Sequence, residues 1–183
     1  MRTDRRKLVF PKYEVLEYIR ITNGYIDTDV FGNQDSRIIL TSKCDEIKNN
    51  TSLVADEKDI YFGAGGPTEY HYYLCFNRTV SFIDGTKSRL NKHTFEISKK
   101  GFYIDDKKEV DFSNILDFVS KRPFKFGAFN CACTIWKVTF YNKDKRIADF
   151  IPVKRKLDGV FGMYDIVGRK FYTSPNLVVL TGG

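Results

Sequence analysis

Residues whose types and spacing could do chemistry are few in this chain. Glu109-Val110-Asp111 sets two carboxyl groups two positions apart, with Asn114 three residues further on. Retaining glycoside hydrolysis needs two carboxyl groups about 5 Å apart, one as nucleophile and one as acid/base. The chain has two histidines, His71 and His93, and four cysteines, Cys44, Cys75, Cys131 and Cys133. None of the cysteines forms a Cys-x-x-Cys pair, so the set does not read as a zinc site. Cys131 and Cys133 would share one strand face and read as small structural thiols rather than a disulfide. Gly63-Ala64-Gly65-Gly66 is glycine-rich, but Pro67 follows and no helix begins there, which speaks against a phosphate cradle. There is no nucleophile elbow and no dinucleotide fingerprint. A calcium site through Asp27, Asp29 or Asp105-Asp106 lacks the dense acidic loop that such sites use. The expectation is a protein with no metal, no cofactor and no catalytic residues.

Binding chemistry is harder to dismiss. Sugar sites combine an exposed aromatic with polar groups and a close backbone, and Tyr70, His71, Tyr72 and Tyr73 beside Gly65-Gly66 contain those ingredients. The competing reading is that Tyr70 and Tyr72 continue the core face of Leu74 and Phe76. A formal charge of +7 raises the question of acidic partners. Arg2, Arg5, Arg6 and Lys7 form a basic arm, which could contact a partner, ahead of the first credible strand. Lys143-Asp144-Lys145-Arg146 and Lys154-Arg155-Lys156 fall where exposed turns are expected. No recognition helix or nucleic-acid-type aromatic motif accompanies them, so the chain does not read as a nucleic-acid binder.

The elements that must position these groups are strands. The chain has 183 residues, among them 16 phenylalanines and 11 tyrosines. Aromatic and β-branched side chains suit a pleated, half-buried surface. Period-two alternation recurs about every ten residues with turn signals between runs. Leu16–Ile19 and Tyr25–Val30 flank Asn23-Gly24, a tight-turn pair. Arg37–Thr41 is a continuous apolar run, and residues 42–59 read as a long loop with room for one short element. Lys92–Ser98, Lys99-Lys100-Gly101 and Phe102–Asp105 make the clearest hairpin, with His93, Phe95 and Ile97 on its apolar face. His93 reads as a packed, hydrogen-bonded residue, and Asp105-Asp106 as a second turn. Residues 113–120 make the one helix candidate, closed off by Pro123. In Thr134–Tyr141, alternation points Trp136, Val138 and Phe140 inward. No window approaches the ~18 consecutive apolar residues of a membrane-spanning helix, and the N-terminus offers no apolar signal core. Residues 1–12 read as a basic arm and residues 13–183 as one domain.

Three separated blocks carry a resemblance. Leu16-Glu17-Tyr18-Ile19 with Tyr25-Ile26-Asp27-Thr28 is the first, and Lys92-His93-Thr94-Phe95 through Ile104-Asp105 the second. The third runs from Phe126-Gly127-Ala128 through Trp136–Tyr141 and Arg146–Val153 to Gly162-Met163-Tyr164-Asp165 and Lys170-Phe171-Tyr172. Together they resemble the concanavalin A-like, laminin-G-like domains of phage virion proteins and some bacterial surface proteins. Asp106 stands where that pattern has a glycine, and the turn at residues 20–24 is shorter than usual. The resemblance implies an all-β jelly-roll sandwich of two antiparallel sheets with at most one short helix, its first and last strands close together. Pro152, which has no amide donor, requires an edge or a break in its ladder. Asp158-Gly159 suits a turn with positive φ, and Gly162 a close backbone approach.

Some enzymes of this fold class carry Glu-x-Asp-x-x-Glu on one strand. Here Asn114 takes the place of the last carboxylate, which removes the catalytic pair. The resemblance therefore implies a non-enzymatic structural protein of a bacteriophage virion, decorating a capsid or associated with a fibre or tail. Its partners would be other virion proteins or further copies of itself. The alternative is a carbohydrate-binding adhesin. The location implied is the virion or, for a bacterial protein, the outside or surface of the cell.

Overall fold

A computed structural model describes residues 10–22, 24–45, 51–56, 59–64, 71–77, 79–84, 91–112, 116–128, 132–173 and 180–182. In chain order the strands are β1 (Tyr13–Val15), β2 (Ile19–Ile21), β3 (Gly24–Asn33), β4 (Ser36–Cys44), β5 (Thr51–Ala55) and β6 (Ile60–Ala64). They continue with β7 (His71–Phe76), β8 (Thr79–Asp84), β9 (His93–Ser98), β10 (Gly101–Ile104), β11 (Lys107–Val110) and β12 (Val119–Ala128). The last five are β13 (Cys133–Asn142), β14 (Lys145–Arg155), β15 (Phe161–Asp165), β16 (Lys170–Tyr172) and β17 (Leu180–Gly182).

All the strand pairings are antiparallel and form two sheets. The larger has 11 strands, ordered β11-β10-β9-β4-β13-β14-β15-β16, with β1 on β14, β2 on β13 and β17 on β2. The smaller has 6 strands, ordered β3-β12-β5-β6-β7-β8. The chain is thus an all-β sandwich. Its last strand lies beside one of its first, Leu180 opposite Ile21 and Gly182 opposite Ile19.

Alternation places one apolar face of each sheet inward. Ile38, Leu40, Phe95, Ile97, Val138, Phe140, Phe150 and Met163 come from the larger sheet, and Ile26, Phe62, Tyr72, Leu74, Phe76, Phe124 and Phe126 from the smaller. Rings meet across the gap, Phe124 with Phe140 at 4.9 Å, Phe126 with Phe150 at 5.0 Å and Phe62 with Phe95 at 4.6 Å. Such pairs add roughly 0.5–1.5 kcal/mol beyond the area they bury.

Irregularities in the ladders have local causes. β14 hands over from one neighbour to another at Pro152. Its pairing with β13 ends at Phe150, opposite Val138, and β1 takes over at Val153, opposite Val15. The proline therefore needs no ladder donor there, and its carbonyl accepts the Leu16 amide at 3.0 Å. Near Pro123 the β3–β12 register shifts, and the Thr28 hydroxyl donates to the Phe124 carbonyl at 2.7 Å. Gly159 takes φ +71 in the β14–β15 turn. At Gly162 a Cβ would come within 2.2 Å of the Tyr172 carbonyl and 2.7 Å of the Phe171 ring.

Four expectations change. Asn23-Gly24 does not close a hairpin, because β2 lies in the larger sheet and β3 in the smaller. The buried side chains of Ile21 and Ile26 serve the two layers, so the chain crosses between sheets at this corner. The helix candidate is not helical where it is described. Residues 116–118 are irregular and β12 starts at Val119; Phe118 packs against the core while Leu116 and Val119 are exposed, so the cluster shares no single helical face. The run predicted to end at Thr41 extends as strand to Cys44. Trp136 is half-buried and outside the core, because a register shift between Ile135 and Lys137 puts Ile135 inward in its place, while Val138 and Phe140 face inward as expected.

Phe150 is fully buried against Phe126, Phe140 and Tyr172. Phe150→Ala is expected to lower unfolding free energy by about 3–5 kcal/mol in denaturant titration. Gly162→Ala should cost about 1–3 kcal/mol through overpacking, since the groups that a Cβ would meet include backbone.

Candidate functional site

Of the residues proposed from sequence for sugar contact, Tyr72 is the one whose side chain is described. Tyr72 is 1% exposed and belongs to the core, its ring 5.6 Å from Phe62 and 5.4 Å from Phe95. This corrects its place as a ligand contact, because strand alternation commits it to the face shared with Leu74 and Phe76. His71 and Tyr73 occupy the alternate positions of β7, opposite Asp84 and Phe82 in register. Tyr70 lies outside the described residues, as do Arg2, Arg5, Arg6 and Lys7 of the basic arm.

The carboxylates considered for chemistry are engaged in ion pairs. Glu109, on the outermost strand β11, meets Lys107 at 2.8 Å, and Asp111 just beyond that strand pairs with Lys108. Asp27 meets Lys125 at 3.5 Å. Asp29 meets Lys170 at 2.6 Å and accepts the Tyr172 hydroxyl, which ties the edge of the smaller sheet to β16 of the larger. Among the described residues, no group of three or more His, Cys, Asp or Glu could hold a metal ion. Cys44, Cys75 and Cys133 are buried thiols, Cys44 opposite Cys133 in register, and Cys131 lies outside the described residues.

His93 stands on the inward face of β9, opposite Ser42, and its Nδ1 meets Asp105 at 2.6 Å. Asp105 also accepts the Thr94 amide at 2.9 Å, so it closes the β10–β11 turn back onto β9. Asp105 and Asp106 both take positive φ, at 49 and 68, a conformation that glycine more often supplies. Burial works to raise the Asp105 carboxyl, but the Thr94 amide and His93 outweigh it and hold it below the ordinary value of 3.8. For Asp29 burial is again opposed, by hydrogen bonds from Lys170 and Tyr172, and the net direction is downward. The Tyr172 phenol moves up from 10.0, through burial and the Asp29 carboxylate it faces.

Sequence reasoning missed an aromatic pair that the structure leaves accessible. The rings of Trp136 and Tyr18, both half-buried, lie 5.9 Å apart, and the Lys92 ammonium sits 4.3 Å from the Trp136 centroid. Two residues earlier on β13, Thr134 donates to Asp45 at 2.5 Å, and Asp45 also binds Arg20 at 3.2 Å and Lys43 at 3.0 Å. The two rings are tilted by 49° and Lys92 lies over Trp136, so a sugar ring stacking here would have to displace that ammonium. The signal was the one tryptophan of the chain. Simple alternation turned it inward, because the β-bulge that re-aims it depends on the neighbouring strands.

No helix among the described residues is long and apolar enough to cross a membrane. Searches against protein-family models, curated proteins and solved structures found no match to this chain.

The pKa directions set the pH response. Asp29 and Asp105 are lowered, so their stabilisation is complete above about pH 3.8 and is lost as pH falls below it. Tyr172 is raised, so its share is present below pH 10.0 and is lost as pH rises beyond it. Melting temperature followed against pH by circular dichroism should decline at both extremes. Asp29→Asn should shrink the acid decline and Tyr172→Phe the alkaline one.

Proposed function

We propose that this protein is a non-enzymatic structural component of a bacteriophage particle, decorating the capsid or associated with a fibre or tail, and built on a concanavalin A-like jelly roll. The observation that carries the reading is the behaviour of the block most specific to the resemblance. Residues 126–172 run through β12–β16, with Pro152 at a ladder break, Gly159 at positive φ and Gly162 under the Phe171 ring. The pairing of β17 with β2 fits the same topology. The mechanism is display: a rigid sandwich docks on other virion proteins or on further copies of itself and holds its free surface outward. Loop residues at the two ends can vary without disturbing the packed layer between the sheets, which suits a scaffold whose value lies in what it presents.

A second reading, a carbohydrate-binding adhesin, is favoured by the Trp136–Tyr18 pair and the polar groups around Asp45. The two readings separate experimentally. Mass spectrometry of purified particles should find the chain in stoichiometric amount, and its absence from them would remove the particle reading. A glycan array on the purified protein should stay blank for a pure scaffold. A specific signal lost in Trp136→Ala would instead establish the adhesin.

A further inference from the structure

One end of the sandwich gathers the exposed apolar side chains. Six large apolar residues are exposed among those described, namely Phe31, Val80, Leu116, Val119, Leu157 and Val167. All but Leu157 lie at the end where the β3–β4, β7–β8, β9–β10, β13–β14 and β15–β16 turns meet. The contacts that assemble this end centre on the β3–β4 turn. The Gln34 side chain accepts the Phe118 amide at 3.3 Å, Asp35 binds Lys99 at 2.5 Å, and the Asp35 carbonyl accepts the Lys143 amide at 2.9 Å.

The segment leading into β12 forms the crest. Asn77, in the β7–β8 turn, donates to the Leu116 carbonyl at 3.1 Å, and the Phe118 ring stands edge-on to Phe76 at 5.7 Å. Phe118 is thus anchored toward the core, while Leu116 is 74% and Val119 73% exposed. A pair of aliphatic side chains held out so far on a pinned segment projects from the surface.

Cations lie at the same end of the sandwich as this crest. Lys99 and Lys100 come from the β9–β10 turn, Lys143 and Lys145 from the β13–β14 turn, Lys121 from the start of β12 and Arg169 from the β15–β16 turn. Acidic residues described at this end are Asp35, already paired with Lys99, Asp111, paired with Lys108, and Asp59, Asp117 and Asp144. Among the described residues the surplus is positive, so a second copy meeting this end head-on would face like charge, whereas an anionic surface would be attracted. Projecting tips without a concave counterpart suit a fluid surface, which needs no complementary shape. A folded protein partner would have to supply a matching pocket over roughly 800 Å².

The geometry points to this end as a peripheral docking site for an anionic phospholipid bilayer, with Leu116 and Val119 entering the headgroup boundary and the lysines of the same end meeting the lipid phosphates. Apolar insertion and cationic attraction are the two contributions that hold interfacial proteins on membranes. The long lysine stems can lie along the apolar crest while their ammonium groups reach the headgroups.

The test is cosedimentation of the full chain with phosphatidylcholine–phosphatidylglycerol vesicles, compared with phosphatidylcholine alone. Binding is expected only with the anionic lipid and should weaken as salt is added. Lys100→Glu with Lys143→Glu should weaken it roughly fivefold or more per site. Leu116→Asp with Val119→Asp should weaken it roughly tenfold or more. All four residues are exposed, so each variant should keep the parent's circular dichroism and melting temperature. Failure of the parent chain to bind anionic vesicles at low salt overturns the proposal. So does binding that folded variants leave unchanged, or attachment through these residues to a protein while vesicles are ignored.

Discussion

The structure depends on a layer of aromatic rings trapped between two sheets. Phe124 on Phe140, Phe126 on Phe150 and Phe62 on Phe95 each join a strand of the smaller sheet to one of the larger. Neither sheet could bury its apolar face alone, and each supplies the surface that removes the other's rings from water. At roughly 25 cal/mol per Å² of apolar surface, burial of this layer is the main favourable contribution to folding. The geometry of everything outside it follows from which residues alternation sends inward.

Polar groups organise what the rings do not. Asp56, almost fully buried, accepts the amides of Asp59 and Ile60 at 2.9 and 2.8 Å and bonds Ser120 across to β12. Asp165 accepts the amides of Asp149, Val167 and Gly168, which fixes the β15–β16 turn. Asp149 is met in turn by Thr139, Lys137 and Arg146. A buried carboxylate is tolerated only when its lone pairs are occupied. These three aspartates are therefore committed to holding turns and strands.

The ends differ in character. At one, the Asp105-Asp106 turn folds back on His93, and the 12–15 segment lies along β14 with the Tyr13 ring stacked on Phe171 at 5.4 Å. The Arg155 guanidinium covers the same Phe171 ring at 4.8 Å and forks onto Asp158. Aromatic surface there is covered by the chain's own cations. At the opposite end Leu116 and Val119 are exposed, and lysines come from the turns of the same end. At the first end the exposed large apolar residue is Leu157 alone among those described, in the β14–β15 turn.

The sequence by itself determined the all-β class, the β9–β10 hairpin, the Asp105-Asp106 and Asp158-Gly159 turns, and the special positions of Pro152 and Gly162. Each of these rests on interactions within a few residues: period-two alternation, positive φ, or a missing amide donor. Only the tertiary structure decided that Asn23-Gly24 joins two sheets, that Val119 opens a strand and not a helix, and that Trp136 faces away from the core. It alone placed Tyr72 in the core and brought Asp29 to Tyr172, 143 residues apart. The physical reason is common to all of them: alternation tells which side chains share a face, while the neighbour each strand finds, and any bulge that pairing imposes, is set by contacts far away in the chain.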